Sequence, residues 1–169
     1  MQPFLKTNRL LLRNLSCEDL DILYDYRNNA DCARYQHWTD TSREALRDFI
    51  NTFGSCIFPS SEPEQHYAIC LSDNRLIGDL SLFVNEADPC ITLGYTISYR
   101  HWRQGYAFEL LTAVIKAIEQ HFPAMDIVGL VEKENLPSIA LLKKLGFVEE
   151  AYSDKIHSYI FIRSPAKEN

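Results

Sequence analysis

The sequence lacks a long hydrophobic run and a secretion signal. No stretch approaches the roughly 18 consecutive apolar residues that a membrane-spanning helix requires. The first residues, MQPFLKTNR, contain neither an apolar stretch nor a small-residue cleavage site. We therefore expect a protein that stays in the cytoplasm and has no membrane partner. With 169 residues, 46% of them hydrophobic, the chain suits one well-cored domain spanning residues 1–169.

Cysteine motifs and a strong positive charge are also missing. The five cysteines form no CxxC pair and have no histidine pair near them, so neither a disulfide framework nor a zinc site is indicated. We expect reduced structural thiols and no metal. The net charge of −6 and the isoelectric point near 5.3 argue against a nucleic-acid partner, which requires a basic face. An acidic surface would suit a cationic acceptor, although acidity more often serves solubility alone.

Glycine is scarce, and its spacing excludes two nucleotide-binding motifs. The six glycines permit neither GxGxxG nor GxxxxGK[ST], which argues against a dinucleotide fold and a P-loop. One glycine, Gly105, lies at a predicted strand-to-helix turn. There a residue without Cβ lets the backbone approach a ligand, and the free N–H groups of the first helical turn favour an anion. A tight turn without a ligand explains the same glycine, so this feature alone leaves both interpretations open.

What the sequence does contain is a hydrophobic pattern typical of a mixed α+β chain. A strand is predicted at residues 9–15, and Ser16 with Asp19 resembles a capping box that opens a helix. Thr41 with Glu44 repeats this device before a second amphipathic helix.

The middle of the chain predicts a meander followed by a crossover. Three strand-like runs separated by turn residues indicate antiparallel strands at 66–72, 75–84 and 90–99. A helix that starts at Tyr106 and ends before Pro123 leads to a buried strand at 126–135. This strand, the helix and the last meander strand predict a right-handed crossover between two parallel strands. A closing strand is predicted at 157–163.

Three motifs occur in a characteristic order along the chain. WRQGYA occupies residues 102–107, and ENLPSIALLKKLGF occupies residues 134–147, where Pro137 suits a first helical turn and Gly146 a helix end. TNRLLLRNL begins at Thr7, with ARYQHW following it. Together they resemble the GNAT superfamily of acetyl-CoA-dependent N-acetyltransferases, in the branch of the ribosomal-protein N-terminal acetyltransferases. The resemblance covers about residues 7–163.

The resemblance implies a fold and a reaction. The fold is a mixed, mostly antiparallel sheet with a splayed parallel strand pair and flanking helices. The reaction moves an acetyl group from acetyl-CoA, the only cofactor implied, to a primary amine, which is a peptide N-terminal α-amine or a small amine. The backbone near the turn holds the pyrophosphate of coenzyme A, and the pantetheine arm lies between the splayed strands. The cofactor-binding residues implied are Ile97, Gln104, Gly105, Tyr106, Ala107 and Asn135.

The acid and base are less defined, because two positions depart from the family pattern. Leu142 stands where many relatives have a tyrosine acid, and Thr92 stands where many have an acidic residue. Ser138 matches a serine proposed as the acid in ribosomal-protein acetyltransferases, with a simple helix-capping serine as the alternative. His157 falls about where such relatives place a base, with an exposed strand-end histidine as the alternative. Asp79 is a further carboxylate.

Other interpretations stay open at this point. Glu109 is one more carboxylate, and it suits a complement to the helix N-terminus better than a base. Tyr35 and Trp38 are candidate acceptor contacts, although aromatic residues at helical spacing more often belong to a core. The departures at Leu142 and Thr92 allow a non-catalytic acyl-CoA-binding module as an alternative to an enzyme. The sequence does not separate a monomer from a homodimer.

Overall fold

The computed structural model describes residues 2–165, which form eight strands and five α-helices. In chain order they are β1 (Leu5–Lys6), β2 (Leu10–Arg13), α1 (Leu20–Arg27), α2 (Ala30–Ala33), α3 (Arg43–Phe53), β3 (Glu64–Leu71), β4 (Leu76–Asn85), β5 (Cys90–Ile97), α4 (Tyr106–His121), β6 (Asp126–Glu132), α5 (Leu136–Lys144), β7 (Val148–Ser153) and β8 (Ser158–Arg163). All strands belong to one sheet of order β1-β2-β3-β4-β5-β6-β8-β7.

The predicted architecture is confirmed in its main lines. Strands β3, β4 and β5 form the antiparallel meander, and α4 connects β5 to the parallel strand β6. Helix α5 ends before Gly146, whose φ of 82° is the left-handed conformation expected of a helix-terminating glycine. The short elements β1 and α2 and the edge strand β7 were not predicted. Strand β7 is exposed along nearly its whole length, so its sequence carries no alternation of apolar and polar residues.

One predicted helix start is correct and the other is wrong. The Ser16 N–H donates to Asp19 at 2.8 Å, as the predicted capping box requires. At α3, however, the capping side chain is Ser42, whose hydroxyl accepts from the Ala45 N–H at 3.2 Å. Thr41 instead donates to the Asn28 side chain at 2.8 Å. Adjacent hydroxyl residues make this position ambiguous in the sequence.

Helices cover the two faces of the sheet. Helix α4 packs apolar residues such as Leu110 and Val114 against one face, in a cluster that includes Ile91 and Leu93 of β5. Helices α1 and α3 cover the other face, where Leu46 belongs to a second cluster. Because strand side chains alternate, Thr92, Gly94 and Thr96 of β5 point towards this second face. Within residues 2–165, no helix combines the length and apolarity that a membrane span demands.

A gap opens between the two parallel strands. The ladder between β5 and β6 joins Cys90–Thr92 to Asp126–Val128 and then stops, although both strands continue. Strand β5 stays paired with β4, and the Ser98 N–H extends that ladder by donating to the Ile77 carbonyl at 2.7 Å. In an antiparallel ladder the backbone groups alternate sides, so the N–H groups of Tyr95 and Ile97 face the gap. The parallel pair is therefore splayed, as expected.

Candidate functional site

The turn at one end of the gap presents several free backbone donors. Gly105 precedes α4 with φ of 78°, a conformation that glycine adopts without strain. The first backbone bond inside α4 runs from the Glu109 N–H to the Gly105 carbonyl at 3.1 Å. The N–H groups of the three intervening residues, Tyr106, Ala107 and Phe108, consequently have no acceptor within the helix. They lie at the positive end of the helix dipole and can hold an anionic group.

Arg9, which the sequence presented only as part of a motif, lies directly beside this turn. Its guanidinium donates to Glu109 at 2.6 Å and to the Gln104 carbonyl at 2.9 Å, and it stacks on the Tyr106 ring. A Cβ placed on Gly105 would lie 3.5 Å from Arg9 Nη2, so the guanidinium borders the space in front of the turn. Arg9 thus adds a positive charge to the backbone donors.

Glu109 anchors the turn to the start of β2. It accepts from the Thr7 hydroxyl at 2.6 Å and from the Arg9 N–H at 2.9 Å, in addition to the guanidinium. Partial burial acts to raise the pKa of Glu109, but these hydrogen bonds and the charge of Arg9 lower it overall. A carboxylate held in this way has a structural role, in agreement with the sequence interpretation.

Trp102, the first residue of the WRQGYA motif, connects the turn to the end of β5. Its indole N–H donates to the Ile97 carbonyl at 2.7 Å, and the Cys32 thiol contacts the same oxygen at 3.9 Å. The Ile97 carbonyl is therefore already occupied by protein donors. Its N–H is the backbone group that remains for a ligand in the gap.

Asn135 and Ser138 border the gap from the side of β6. Asn135 caps α5 by accepting from the Ser138 N–H at 3.4 Å. Its amide NH₂ makes no hydrogen bond to residues 2–165 and stays available. The Ser138 hydroxyl accepts from Tyr95 OH at 3.0 Å, which joins α5 to β5 across the gap. Burial raises the pKa of Tyr95, so the phenol remains protonated and can donate.

Leu142 fills its position with apolar core. It is 2% exposed, and a Cβ on Gly129 would lie 2.6 Å from its side chain. The glycine in β6 leaves the room that the leucine occupies. Leu142 itself supplies no polar group here, and the hydroxyls of Tyr95 and Ser138 lie nearby on the border of the same cleft.

A cleft of about 970 Å³ opens on the α1 and α3 side of the gap. It brings together several residues singled out in the sequence: Tyr35, Trp38, Asp79, Thr92, Asn135, Ser138, Leu142 and His157. The turn at residues 104–107 and Ile97 do not line it. The Gly105 turn and this cleft therefore border the gap at different places.

His157 lies at the rim of the cleft. It occupies the turn before β8 with φ of 51°, and its side chain is exposed. It immediately precedes Ser158, the first residue of β8, so the predicted position at the strand start is shifted by one residue. No hydrogen bond within the described part of the chain fixes its ring.

The two candidate acceptor aromatics have different surroundings. The Tyr35 hydroxyl donates to the Glu134 carbonyl at 3.2 Å, and the neighbouring His37 lies 3.7 Å from Glu132. These contacts hold the segment 35–38 against the end of β6 and the turn that precedes α5. Trp38 stacks on the guanidinium of Arg27, with 4.8 Å between the guanidinium carbon and the ring centre. Both aromatics line the cleft.

A buried polar network lies beneath the cleft. Asp79 accepts from the Tyr26 hydroxyl and from Arg27, whose guanidinium is 3.3 Å away. Burial acts to lower the pKa of Arg27, but the charge of Asp79 raises it overall. Burial and the charge of Asp79 raise the pKa of Tyr26, which stays protonated. Of this network the sequence indicated only the carboxylate.

His66 is another buried residue of the cleft with a charged neighbour, and no sequence motif pointed to it. Its Nε2 lies 2.8 Å from Glu64, and its ring packs among the side chains of Phe49, Phe53 and Phe83. Burial lowers the pKa of His66 in spite of Glu64, so the ring is neutral at pH 7. Within residues 2–165, no group of three or more histidine, cysteine or acidic side chains is arranged to hold a metal, and the five cysteines are free.

Two sequence comparisons identify relatives of this chain. The sequence profile described as "Acetyltransferase (GNAT) domain" matches residues 9–148. An uncharacterized N-acetyltransferase, p20, of Bacillus licheniformis is 30% identical over 153 residues, covering 86% of this chain and 83% of its own.

Two solved structures share the fold. The ribosomal L7/L12 α-N-protein acetyltransferase RimL has a TM-score of 0.81 at 17% identity, with 96% of this chain and 94% of that chain covered. A spermidine N-acetyltransferase from Vibrio cholerae, solved with CoA and spermine, has a TM-score of 0.71 at 20% identity, with 90% and 92% covered. At these identities the structures establish the fold, and the profile and p20 establish the family. The chain belongs to the GNAT acetyltransferases and is an acyltransferase of the N-acetyltransferase class.

Proposed function

We propose that this protein transfers an acetyl group from acetyl-CoA to a primary amine within a ternary complex. The observation that carries the proposal is the gap between β5 and β6, which is lined by free backbone N–H groups and bordered by the Gly105 turn and by the cleft. One end has the Gly105 turn, which suits a pyrophosphate. The other has a cleft that suits an acceptor. A donor and an acceptor can therefore approach the same point from opposite sides.

The residues at the turn fit coenzyme A. The free amides of Tyr106 and Ala107 and the adjacent Arg9 offer donors and positive charge to a pyrophosphate. The Ile97 N–H and the Asn135 NH₂ offer donors to the amide groups of a pantetheine arm. Bound there, the thioester supplies an activated acyl group. The chain binds and orients it and aims backbone N–H groups at the oxygen that becomes negative.

Ser138 and His157 are proposed for the proton transfers that accompany acyl transfer. Ser138 accepts a hydrogen bond from the protonated Tyr95 and is free to donate its own proton to a departing thiolate. A thiolate leaves without much help, since its conjugate acid has a pKa of about 8.5 by analogy with cysteine. His157 is exposed at the rim and can pass a proton between the cleft and water.

The acceptor class follows from acid–base chemistry and from the relatives. An α-amine with a pKa near 8 is about 10% neutral at pH 7, whereas a lysine amine is only about 0.04% neutral. A peptide N-terminus therefore requires less help from a base. The relatives that share the fold act on a ribosomal protein and on spermidine, by their names. We propose a peptide α-amine or a small amine as the acceptor.

Release of the coenzyme A thiol from acetyl-CoA tests the proposal. The protein is mixed with acetyl-CoA and, separately, with ribosomal N-terminal peptides, spermidine, free amino acids and aminoglycosides. Release that depends on one amine class would establish the reaction and identify the acceptor. The Gly105→Asp variant, whose turn cannot accept a pyrophosphate, is the matched control for contaminating activity. Absence of amine-dependent release with every class would contradict the proposal.

A further inference from the structure

We infer that Asp79 is the carboxylate that receives the amino group of the acceptor and takes its proton, a role that rests on the acetyltransferase function proposed above. Asp79 lies on β4 directly opposite Thr96 of β5. Thr96 lies beyond Thr92, which is the last residue of β5 that pairs with β6. Neighbouring strands are about 5 Å apart, so the Asp79 backbone lies one strand from the gap. Its side chain lines the acceptor cleft.

The two oxygens of this carboxylate have different surroundings. Tyr26 and Arg27 both donate to Oδ2, and no hydrogen bond from residues 2–165 reaches Oδ1. The fully buried side-chain atoms without a partner in the described chain are Asn14 Oδ1, Arg27 Nε and His66 Nδ1. Asp79 Oδ1 is not among them, so it retains access to the cleft. The residue as a whole is only 5% exposed.

Such a carboxylate needs a further donor. An ionised carboxylate offers about four acceptor positions, and a buried charge is costly unless they are used. Arg27 cannot move to cover Oδ1, because its guanidinium lies between the rings of Trp38 and Phe49, at 4.8 Å and 4.3 Å. The donor must therefore enter through the cleft. An amine supplies N–H groups of the right polarity and, when protonated, the complementary charge.

The other carboxylates of the cleft are less suited to this role. Asp40 is exposed to water and accepts from the Ser42 N–H at 2.8 Å. Glu64 is paired with His66 and its side chain is 50% exposed. Glu132 faces His37 at the segment 35–38. Position 92, which also lines the cleft, is a threonine and supplies no charge. Asp79 thus provides a carboxylate from the neighbouring strand, on the same face of the sheet as Thr92.

The proton balance of the step is complete. The neutral form of the amine is the one that reacts: its nitrogen forms a bond to the thioester carbonyl carbon, and the carbon–sulfur bond breaks with its electron pair leaving on sulfur. An amine that arrives protonated first gives its extra proton to water. The proton lost by nitrogen passes to Asp79 Oδ1. The thiolate takes a proton through Ser138 or from water, and Asp79 returns its proton to water. The products are an amide and the coenzyme A thiol, and no other reactant is required.

The test compares Asp79→Asn with Tyr26→Phe in the full-length protein, using the amine that the thiol-release assay identifies. The asparagine can still accept from Tyr26 and Arg27 but presents no carboxylate to the cleft. We expect kcat/KM for the amine to fall about 100-fold or more, while the Kd for acetyl-CoA stays within about twofold. Tyr26→Phe keeps the carboxylate. Its melting temperature should fall, but its kcat/KM should fall only several-fold.

A second variant guards against loss of folding. Asp79→Asn leaves the Arg27 charge without its partner, so the double variant Arg27→Gln with Asp79→Asn removes both charges and keeps amide hydrogen bonds. We expect it to bind acetyl-CoA and to show the same loss of transfer. A kcat/KM within threefold of wild type in Asp79→Asn or in the double variant would overturn the inference and leave the proposed function intact. Equal losses of kcat/KM in Asp79→Asn and Tyr26→Phe would do the same. A wild-type protein that transfers to no amine would overturn both.

Discussion

The two ends of the gap between β5 and β6 are built in different ways. The proposed coenzyme end consists of backbone N–H groups at the Gly105 turn, with the half-exposed Arg9 and the mostly buried Glu109 beside them. The proposed acceptor end consists of side chains from α1, β3 and β4, among them the buried Arg27, His66 and Asp79. A turn of this kind is specified by a few consecutive residues. The acceptor end exists only after strands distant in sequence have paired in the correct register.

This difference has an energetic side. Exposed ion pairs contribute little to stability because water and salt screen them. A buried pair is costly to break, since the remaining charge is left without a partner in a medium of low polarity. Substitution of the buried charges at the acceptor end should therefore change both ligand binding and the free energy of unfolding. Substitution at the coenzyme end should change mainly the affinity for the ligand and leave the free energy of unfolding nearly the same.

The largest expected effect is on stability, and it comes from replacing an arginine by methionine at one end of the gap and, in a separate variant, at the other. Arg27→Met should lower the free energy of unfolding by about 3–5 kcal/mol, because it leaves the buried Asp79 carboxylate without its cation. Arg9→Met should lower it by about 1 kcal/mol or less, because the Arg9–Glu109 pair is partly exposed. Urea unfolding at pH 7 measures both. Equal losses would remove the distinction between the two ends.

The coenzyme end is tested by an isosteric pair of variants. Gly105→Asp should weaken binding of coenzyme A about 100-fold, or about 2.7 kcal/mol, because a carboxylate would face the pyrophosphate. Gly105→Asn has the same size and also tolerates a positive φ, so it should lose about tenfold or less. Calorimetric titration with coenzyme A gives both constants. Similar constants for the two variants would mean that no anion binds at this turn.

Sequence reasoning recovered most of the fold because its elements have local signals. The meander, the crossover helix and the Gly146 helix end follow from periodicity, turn residues and one left-handed position. Strand β7 was missed because an exposed edge strand has no buried face to impose alternation. The start of α3 was misplaced by one residue because Thr41 and Ser42 are both good caps.

The candidate site was predicted unevenly, in line with the contrast between its two ends. The Gly105 turn and Asn135 lie in short motifs, and the structure places both at the gap. Arg9 lies 96 residues before Gly105 in the numbering, and only the pairing of β2 within the sheet brings it near the turn. Asp79 could be named as a carboxylate, but its partners Tyr26 and Arg27 depend on the packing of α1 on β4. No local pattern predicts such contacts.

A smaller effect is expected where the two ends meet, at Ser138. Ser138→Ala should lower turnover about 30-fold without changing the Kd for acetyl-CoA, because the departing thiolate loses a donor but leaves readily. Tyr95→Phe, which removes only the hydroxyl behind Ser138, should lose less, and so should His157→Asn at the exposed rim. Steady-state kinetics with the identified amine measure all three. Unchanged turnover in Ser138→Ala would limit this serine to a structural role.

Asn135 requires a comparison that separates capping from ligand binding. Asn135→Ala removes both the cap and the amide NH₂, whereas Asn135→Ser preserves a good capping residue and removes only the NH₂. If the NH₂ binds the pantetheine arm, both variants should raise the KM for acetyl-CoA about tenfold. A serine variant with the wild-type KM would show that Asn135 acts only as a cap.

The smallest expected effect is a pH dependence of stability that arises at His66, in the acceptor end. Burial lowers the pKa of His66 against the opposing influence of Glu64 and Asp79, with Arg27 acting in the same direction as burial. The unfolded chain titrates this residue at about pH 6.5, so below that value it binds more protons than the folded chain. The stabilisation from a neutral His66 is therefore complete above about pH 6.5 and is lost as the pH falls.

As the pH falls from about 6.5 to 5.5, protonation of this histidine should lower the free energy of unfolding by at most about 1 kcal/mol. Urea unfolding at several pH values measures this loss. His66→Phe keeps an aromatic ring among Phe49, Phe53 and Phe83 and should remove that part of the slope. Phe83→Leu alters packing beside the ring without removing a titrating group, so it should lower stability while leaving a pH-dependent loss. A His66→Phe variant with the wild-type slope would mean that the folded protein accepts the charged imidazole, and that this part of the acceptor end is as open to water as the Gly105 turn.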